Sequence, residues 1–171
     1  MKKLFFTILI LPSLTYCQII GATDLKVADR IAIRDVVDAY GIYWDTNNLE
    51  GYLSLFSEDA LGVTYDSNGK KITVKIKDKD QIEKNSERMA YFKANQMQRR
   101  HMMSNTLILE QTDKDVSLIQ YMTLLTTNKK SNTEIVTPIF YNFKLKKIDD
   151  IWKITFREIL LDKPLDLAIK P

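Results

Sequence analysis

Cysteine is nearly absent from this 171-residue chain, which has one, at position 17, along with one histidine, five glycines and four prolines. Each scarcity removes a class of function. A lone histidine with no cysteine partners makes a zinc site a poor expectation, and scattered acidic residues compose no calcium loop. Neither a metal nor a cofactor is expected. Glycine is sparse, and the chain contains no Gly-rich phosphate loop, no dinucleotide fingerprint and no serine-centred nucleophile elbow. No apolar run reaches the roughly 20 residues of a membrane helix, so no integral membrane segment is expected.

Charge of one sign is also lacking. The formal net charge is +3, but Lys2 and Lys3 belong to a stretch with its own explanation; without them 23 basic residues face 22 acidic ones, a balance of about +1. Lysine pairs such as Lys129-Lys130 and Lys146-Lys147 flank turns and read as solvated strand edges, so nucleic acid is not expected as a partner. Lys2 and Lys3 precede the apolar run Leu4 to Leu11 and then Pro12-Ser13-Leu14-Thr15-Tyr16-Cys17, the layout of a secretory signal peptide. Residues 1–17 are therefore expected to be a leader and 18–171 a single exported domain, periplasmic or secreted. The alternative is lipid anchorage through Cys17, which the bulky Tyr16 disfavours. Cleavage after Cys17 leaves a domain without disulfides, stabilised by its core alone.

What is there suffices for one globular core: 45% hydrophobic residues and 27% charged. Asp24 can cap a helix whose Val27, Ile31, Val37, Tyr40, Gly41 and Trp44 fall near one stripe. It ends near Asp45-Thr46-Asn47-Asn48, where short polar side chains compete for backbone hydrogen bonds and can cap the next helix. Leu49, Tyr52, Leu53 and Phe56 have the spacing of that short second helix. From Ala60 the period becomes two, through Leu61, Val63 and Tyr65 to the turn Asp66-Ser67-Asn68-Gly69, and on through Ile72, Val74 and Ile76. Asp78 and Gln81 resemble a capping arrangement for a third helix running to about Asn95. The remaining third holds four long β-favouring segments, His101 to Gln111, Val116 to Thr127, Glu134 to Lys147 and Ile151 to Leu161. Their short polar connections predict an antiparallel meander.

The only histidine opens the first of those segments. Imidazole changes charge near neutral pH without special tuning, which makes His101 the candidate for moving a proton. Strand parity places His101, Met103, Asn105, Leu107 and Leu109 on one face and Met102, Ser104 and Glu110 on the other. Arg99 and Arg100 read as solvated charges, or else as attractors of an anionic ligand.

Taken together, Ile33-Arg34-Asp35-Val36-Val37-Asp38-Ala39-Tyr40, Tyr43-Trp44-Asp45 with Leu49 to Asp59, Arg100-His101 with Ser104-Asn105, and Lys147-Ile148-Asp149-Asp150-Ile151-Trp152-Lys153-Ile154 resemble the SnoaL-like group of the nuclear-transport-factor-like superfamily. That group includes polyketide cyclases and scytalone-dehydratase-like enzymes. The resemblance covers about residues 25 to 162. It implies an α+β fold, a cone-shaped curved antiparallel sheet wrapped around N-terminal helices, with an internal cavity. It also implies that Asp45, at the end of the first helix, orients His101, that Tyr65 holds a ligand oxygen, and that subunits pair as homodimers through the outer sheet face. The second histidine of some members has no counterpart here, which puts the dehydratase reaction itself in question.

Two functions are open to these residues. In the first the chain is a cofactor-independent lyase or isomerase acting on a small apolar, oxygen-bearing molecule, with His101 and Asp45 catalytic and Tyr65, Tyr40, Trp44, Met103 and Tyr141 contacting substrate. In the second it is a non-catalytic module binding an apolar ligand or a protein in the same cavity, with Asp45 merely ending a helix and the aromatic residues plain core. The distance between Asp45 and His101 discriminates them.

Overall fold

The computed structural model describes residues 26–163. The leader, Cys17 and the Asp24 cap lie outside those residues. Helix α1, Val27–Asp45, buries Asp29, Ile33, Val37, Tyr40, Gly41 and Trp44. Its buried stripe thus differs from expectation in the first two turns, where Val27 and Ile31 face solvent. The reason is polar: the Asp29 carboxylate accepts from Lys147 Nζ at 2.8 Å and Trp152 Nε1 at 3.0 Å, so the stripe can run through a charged residue. Helix α2, Leu49–Ser54, starts at Asn48, whose side chain accepts from the Gly51 N–H at 2.8 Å, the capping role expected of that polar run.

Strands β1, Phe56–Tyr65, and β2, Lys71–Lys75, form a hairpin, turned at Gly69 with φ of +75°, a conformation glycine adopts at no steric cost. Helix α3, Lys79–Ala94, comes next; Asp78 stands at its N-cap, but its side chain makes no capping bond. The chain then lays down β3, Gln98–Gln111, β4, Asp115–Thr127, β5, Thr133–Ile148, and β6, Ile151–Leu161. No helix among the described residues is long and apolar enough to cross a membrane.

The strands form one open sheet in the order β2-β1-β6-β5-β4-β3. From β3 to β6 it is the antiparallel meander the short connections predict. It is not antiparallel throughout: β1 runs parallel to β6. The meander leaves β6 with one edge unpaired, and the β1–β2 hairpin, formed earlier in the chain, covers that edge in the orientation in which the chain leaves α2. Alternation along β4 and β5 buries Val116, Leu118, Met122 and Leu124 and Ile139, Tyr141, Phe143 and Leu145 beneath α1.

Two bulges reset that alternation where it matters. In β3 the pairing jumps from Ser104–Tyr121 to Leu107–Ile119, with Asn105 at φ of +47°. Two residues oppose one, so parity inverts. Ile108 is buried, and Leu109, expected on the histidine's face, is exposed. In β6 the pairing jumps from Leu145–Ile154 to Lys144–Phe156, and Arg157 turns inward.

Candidate functional site

The last turn of α1 and the first residues of β3 build the site. Asp45 ends α1, where the partial negative charge of the helix C-terminus opposes a carboxylate. Three donors from β3 offset that cost. The His101 backbone N–H donates to Asp45 Oδ2 at 2.9 Å, and His101 Nδ1 lies 2.6 Å from Asp45 Oδ1. Gln98 Nε2 donates to the Asp45 carbonyl at 3.0 Å. Arg99, expected to be solvated, is instead buried: its Nη2 donates to the Trp44 carbonyl and to Asn47 Oδ1, each at 2.6 Å, and its guanidinium lies 4.2 Å from the Phe92 ring centre. Burial pulls its pKa down to about 10, against the supporting charge of Asp45, so it remains a cation at neutral pH. It thereby supplies the positive charge that the last turn of α1 itself lacks.

A carboxylate held against Nδ1 fixes the imidazole tautomer. A carboxylate only accepts, so the neutral ring that pairs with Asp45 carries its proton on Nδ1, which leaves the Nε2 lone pair for other work. The pair is largely desolvated, with side-chain exposures of 9% for His101 and 11% for Asp45. Gly41 permits the approach: a Cβ there would lie 2.8 Å from His101 Cβ and 3.4 Å from Met103 Cγ. Only a residue without a side chain lets α1 and β3 come so close.

Inward of the pair lies Tyr40, whose ring meets the imidazole edge-on at 6.3 Å. Tyr52 and Tyr141 stand 5.6 Å from it, Phe143 6.0 Å and Phe56 6.4 Å, and Trp44 packs 5.1 Å from Tyr52. These rings occupy the interior that the resemblance leaves as a cavity. Of four hollows of about 560, 420, 360 and 210 Å3 in the surface, none is lined by Asp45 or His101.

Beyond Tyr40 comes a residue that sequence reasoning missed. Arg157 is 8% exposed, and its Nη1 donates to the Tyr40 hydroxyl at 3.0 Å and the Tyr52 hydroxyl at 3.1 Å. Burial pushes Tyr52 up to about 12 and Tyr141 well above the ordinary phenol value, so all their protons stay on at neutral pH. Naive parity in β6 sends Trp152, Ile154 and Phe156 inward; the bulge that admits Arg157 leaves no mark in the sequence.

The structure therefore brings His101, Asp45, Tyr40, Trp44 and Tyr141 together, with half-buried Met103 beside Gly41. It does not bring Tyr65. That ring is 37% exposed near the end of β1, its hydroxyl donating to Glu158 Oε1 at 2.7 Å. Alternation in β1 is the cause: Gly62 faces inward against Arg157, so Tyr65, three residues on, faces outward and meets Glu158. Among the described residues no three His, Cys, Asp or Glu side chains gather into a metal-binding group.

The family model of the SnoaL-like domain matches residues 26–158. No curated protein sequence matches the chain. Among solved structures, it is similar to the beta subunit of a provisionally assigned aromatic-ring-hydroxylating dioxygenase from Novosphingobium aromaticivorans (20% identity, TM-score 0.64, covering 81% of this chain and 94% of that one). A provisionally assigned scytalone dehydratase from the same organism is similar at 22% identity and TM-score 0.63, covering 80% and 85%. An NTF2-like protein with a cystatin-like fold, also from that organism, is similar at 14% identity and TM-score 0.62, covering 83% and 85%. At these identities the likeness is one of fold.

Proposed function

Because the chain belongs to the SnoaL-like domain family, we propose that it is a cofactor-independent lyase or isomerase, acting after export on a small, mostly apolar molecule bearing a carbonyl or hydroxyl oxygen. The observation that carries this reading is the 2.6 Å contact of His101 Nδ1 with Asp45 Oδ1. Asp45 Oδ2 already has the His101 backbone N–H as its partner, so the second contact adds an oriented imidazole to a helix end that is held without it. In the proposed cycle Nε2 takes a proton from the carbon beside the carbonyl, and Asp45 stabilises the imidazolium that forms. The same nitrogen then returns the proton, to a departing hydroxyl in an elimination or to another carbon in a double-bond shift.

The substrate oxygen falls to Tyr40 rather than to the outward-held Tyr65. The hydroxyls of Tyr40 and Tyr52 accept from the Arg157 guanidinium, which polarises them, and their own protons are free to be donated to an oxygen gaining negative charge. Acid–base assistance supplies about 10²–10⁴-fold of rate, and orientation and oxygen polarisation supply the rest.

The packed aromatic interior favours the second reading, a binding module in which the rings part for an apolar guest. Turnover separates the two. A panel of ketones and hydroxy-ketones should yield at least one substrate whose conversion is lost in His101→Ala; conversion at the parental rate in that variant rejects the acid–base reading and leaves the binding module.

A further inference from the structure

Helix α3 gives no group to the Asp–His pair, yet a chain of contacts joins them. Phe92, buried on α3, has its ring centre 4.2 Å from the Arg99 guanidinium carbon, and the Trp44 ring centre lies 5.0 Å from the same atom. Arg99 is only 4% exposed, so aromatic faces rather than water surround its charge. From there its Nη2 reaches the end of α1 and donates at 2.6 Å to both the Trp44 carbonyl and Asn47 Oδ1. Those acceptors flank Asp45 in the chain, one residue before it and two after.

Capping does not account for this arrangement. The end of α1 is already closed by its own backbone: Asn47 takes φ of +55°, its N–H donates to the Trp44 carbonyl at 3.2 Å, and the Asn48 N–H donates to the Tyr43 carbonyl at 2.8 Å. A helix finished in this way needs no buried cation, and burying one is costly. What the guanidinium adds is placement. Its planar nitrogen fixes the directions of both acceptors, which a flexible ammonium does not do. Arg99 also shares its face of β3 with His101, two residues on, so the strand that carries the imidazole carries the group that grips its partner's helix.

We infer that Arg99 is the positioning residue of the pair: by holding α1 on both sides of Asp45 it keeps the carboxylate on Nδ1 and the imidazole in the tautomer with a bare Nε2. Phe92, which holds the guanidinium, makes the placement of α3 a control on that tautomer. The inference deepens the acid–base reading and rests on it for any effect on turnover, but not for its effect on the ring. The contact to be kept is sensitive. A displacement of about 1 Å carries the 2.6 Å approach of Asp45 Oδ1 to Nδ1 beyond hydrogen-bond range. Without it the neutral ring carries its proton on either nitrogen, and a ring protonated on Nε2 is no base.

The ring supplies the test. The chain has one histidine, so NMR of the imidazole nitrogens in alkaline buffer, where the ring is neutral, reads a single tautomer equilibrium and needs no substrate. The parent should carry its proton on Nδ1. In Arg99→Met the Nε2-protonated form should rise to a comparable population, in Arg99→Lys to a smaller one, and in Asn47→Gly, which keeps the positive φ and removes one acceptor, to the smallest. Phe92→Leu should move the equilibrium the same way, with no further effect when combined with Arg99→Met. On any substrate from the ketone panel, Arg99→Met should lower kcat about tenfold with KM little changed. Should Arg99→Met fail to fold, Asn47→Gly and Phe92→Leu, alone and combined, still read the effect. Variants that lose Tm while keeping the parental tautomer throughout would make Arg99 a plain helix cap and overturn the inference, as would a Phe92→Leu effect undiminished in Arg99→Met. The two readings fail separately: turnover that survives His101→Ala sinks the acid–base one and leaves the tautomer measurement to decide this one.

Discussion

Helix α1 holds a buried or nearly buried aspartate at each end, and the two are used in opposite ways. Asp29 sits in the first turn, where the helix dipole favours a negative charge, and meets a lysine and an indole N–H that never change charge near neutral pH. Asp45 sits in the last turn, where the dipole opposes it, and meets the one side chain that does. The first arrangement is cheap and inert, and it ties the helix to the β5–β6 turn. The second breaks the local rule and needs Gln98, Arg99 and the His101 backbone to hold it. Violations of local preference that the surroundings compensate are where function concentrates.

That contrast is broken most severely at the imidazole. His101→Ala should cost about 10²–10⁴-fold in kcat on any substrate found in the ketone panel, with a proportionally much smaller fall in stability from the Asp45 oxygen that loses its Nδ1 partner. An equal loss of stability and activity would make His101 a structural residue like Asp29. Next in size comes Asp45→Asn. If the amide oxygen faces Nδ1–H the tautomer survives but the backbone N–H loses its acceptor; if the amide nitrogen faces it, Nε2 carries the proton and is no base. In either rotamer the imidazolium loses its counter-charge, so kcat should fall about ten- to a hundredfold and the acid limb of the pH–rate profile should move.

Gly41 sharpens the comparison from the packing side. In Gly41→Ala the new methyl meets His101 Cβ at 2.8 Å. Overpacking of this kind costs about 1–3 kcal/mol, offset by the roughly 0.5–1 kcal/mol that alanine gains in a helix. Chemical denaturation should show a net loss of about 1–2 kcal/mol, with a drop in kcat larger than that of a volume-matched change at the Asp29 end.

Which of these residues can be read along the chain depends on their periods. Tyr40 and Trp44 obey the helical spacing, and His101, Met103 and the buried residues of β4 and β5 obey the strand alternation, so the site's Asp–His half is legible in the sequence. Its arginine half is not. Ile108 and Arg157 are inward only because one extra residue in β3 and one in β6 invert the parity behind them, and such bulges depend on the curvature of the whole sheet rather than on nearby residues. Arg99 escapes for a different reason: a cation beside a histidine at a strand start has no local cue that a helix C-terminus and Phe92 will cover it. Tyr65 is lost because Gly62 is the inward residue of β1, opposite Arg157, and a residue three positions further along a strand points to the other face, where Glu158 meets the phenol.

The smallest effect belongs to Asp29→Asn, and its pH dependence is what distinguishes a stabilising carboxylate from a catalytic one. The hydrogen bonds from Lys147 and Trp152 hold the Asp29 carboxyl below its usual value of 3.8 in the folded chain. Its contribution to stability is therefore fully present above the unfolded value and is lost as pH falls through the lower folded one. The variant lacks that contribution at every pH, so the gap in Tm between parent and variant should be widest near pH 6–7 and close as the pH drops below 3.8. Carboxyls held low away from Asp29, such as that of Glu158, titrate in both proteins and cancel in the difference, whereas Asp113 feels the Asp29 charge and adds a smaller contribution of its own. Activity per folded molecule at pH 7 should be unchanged, because Asp29 touches Lys147 and Trp152 and lies at the other end of α1 from His101. A fall in kcat without a fall in Tm would mean that α1 transmits position from one aspartate to the other, and the two ends could no longer be treated as separate.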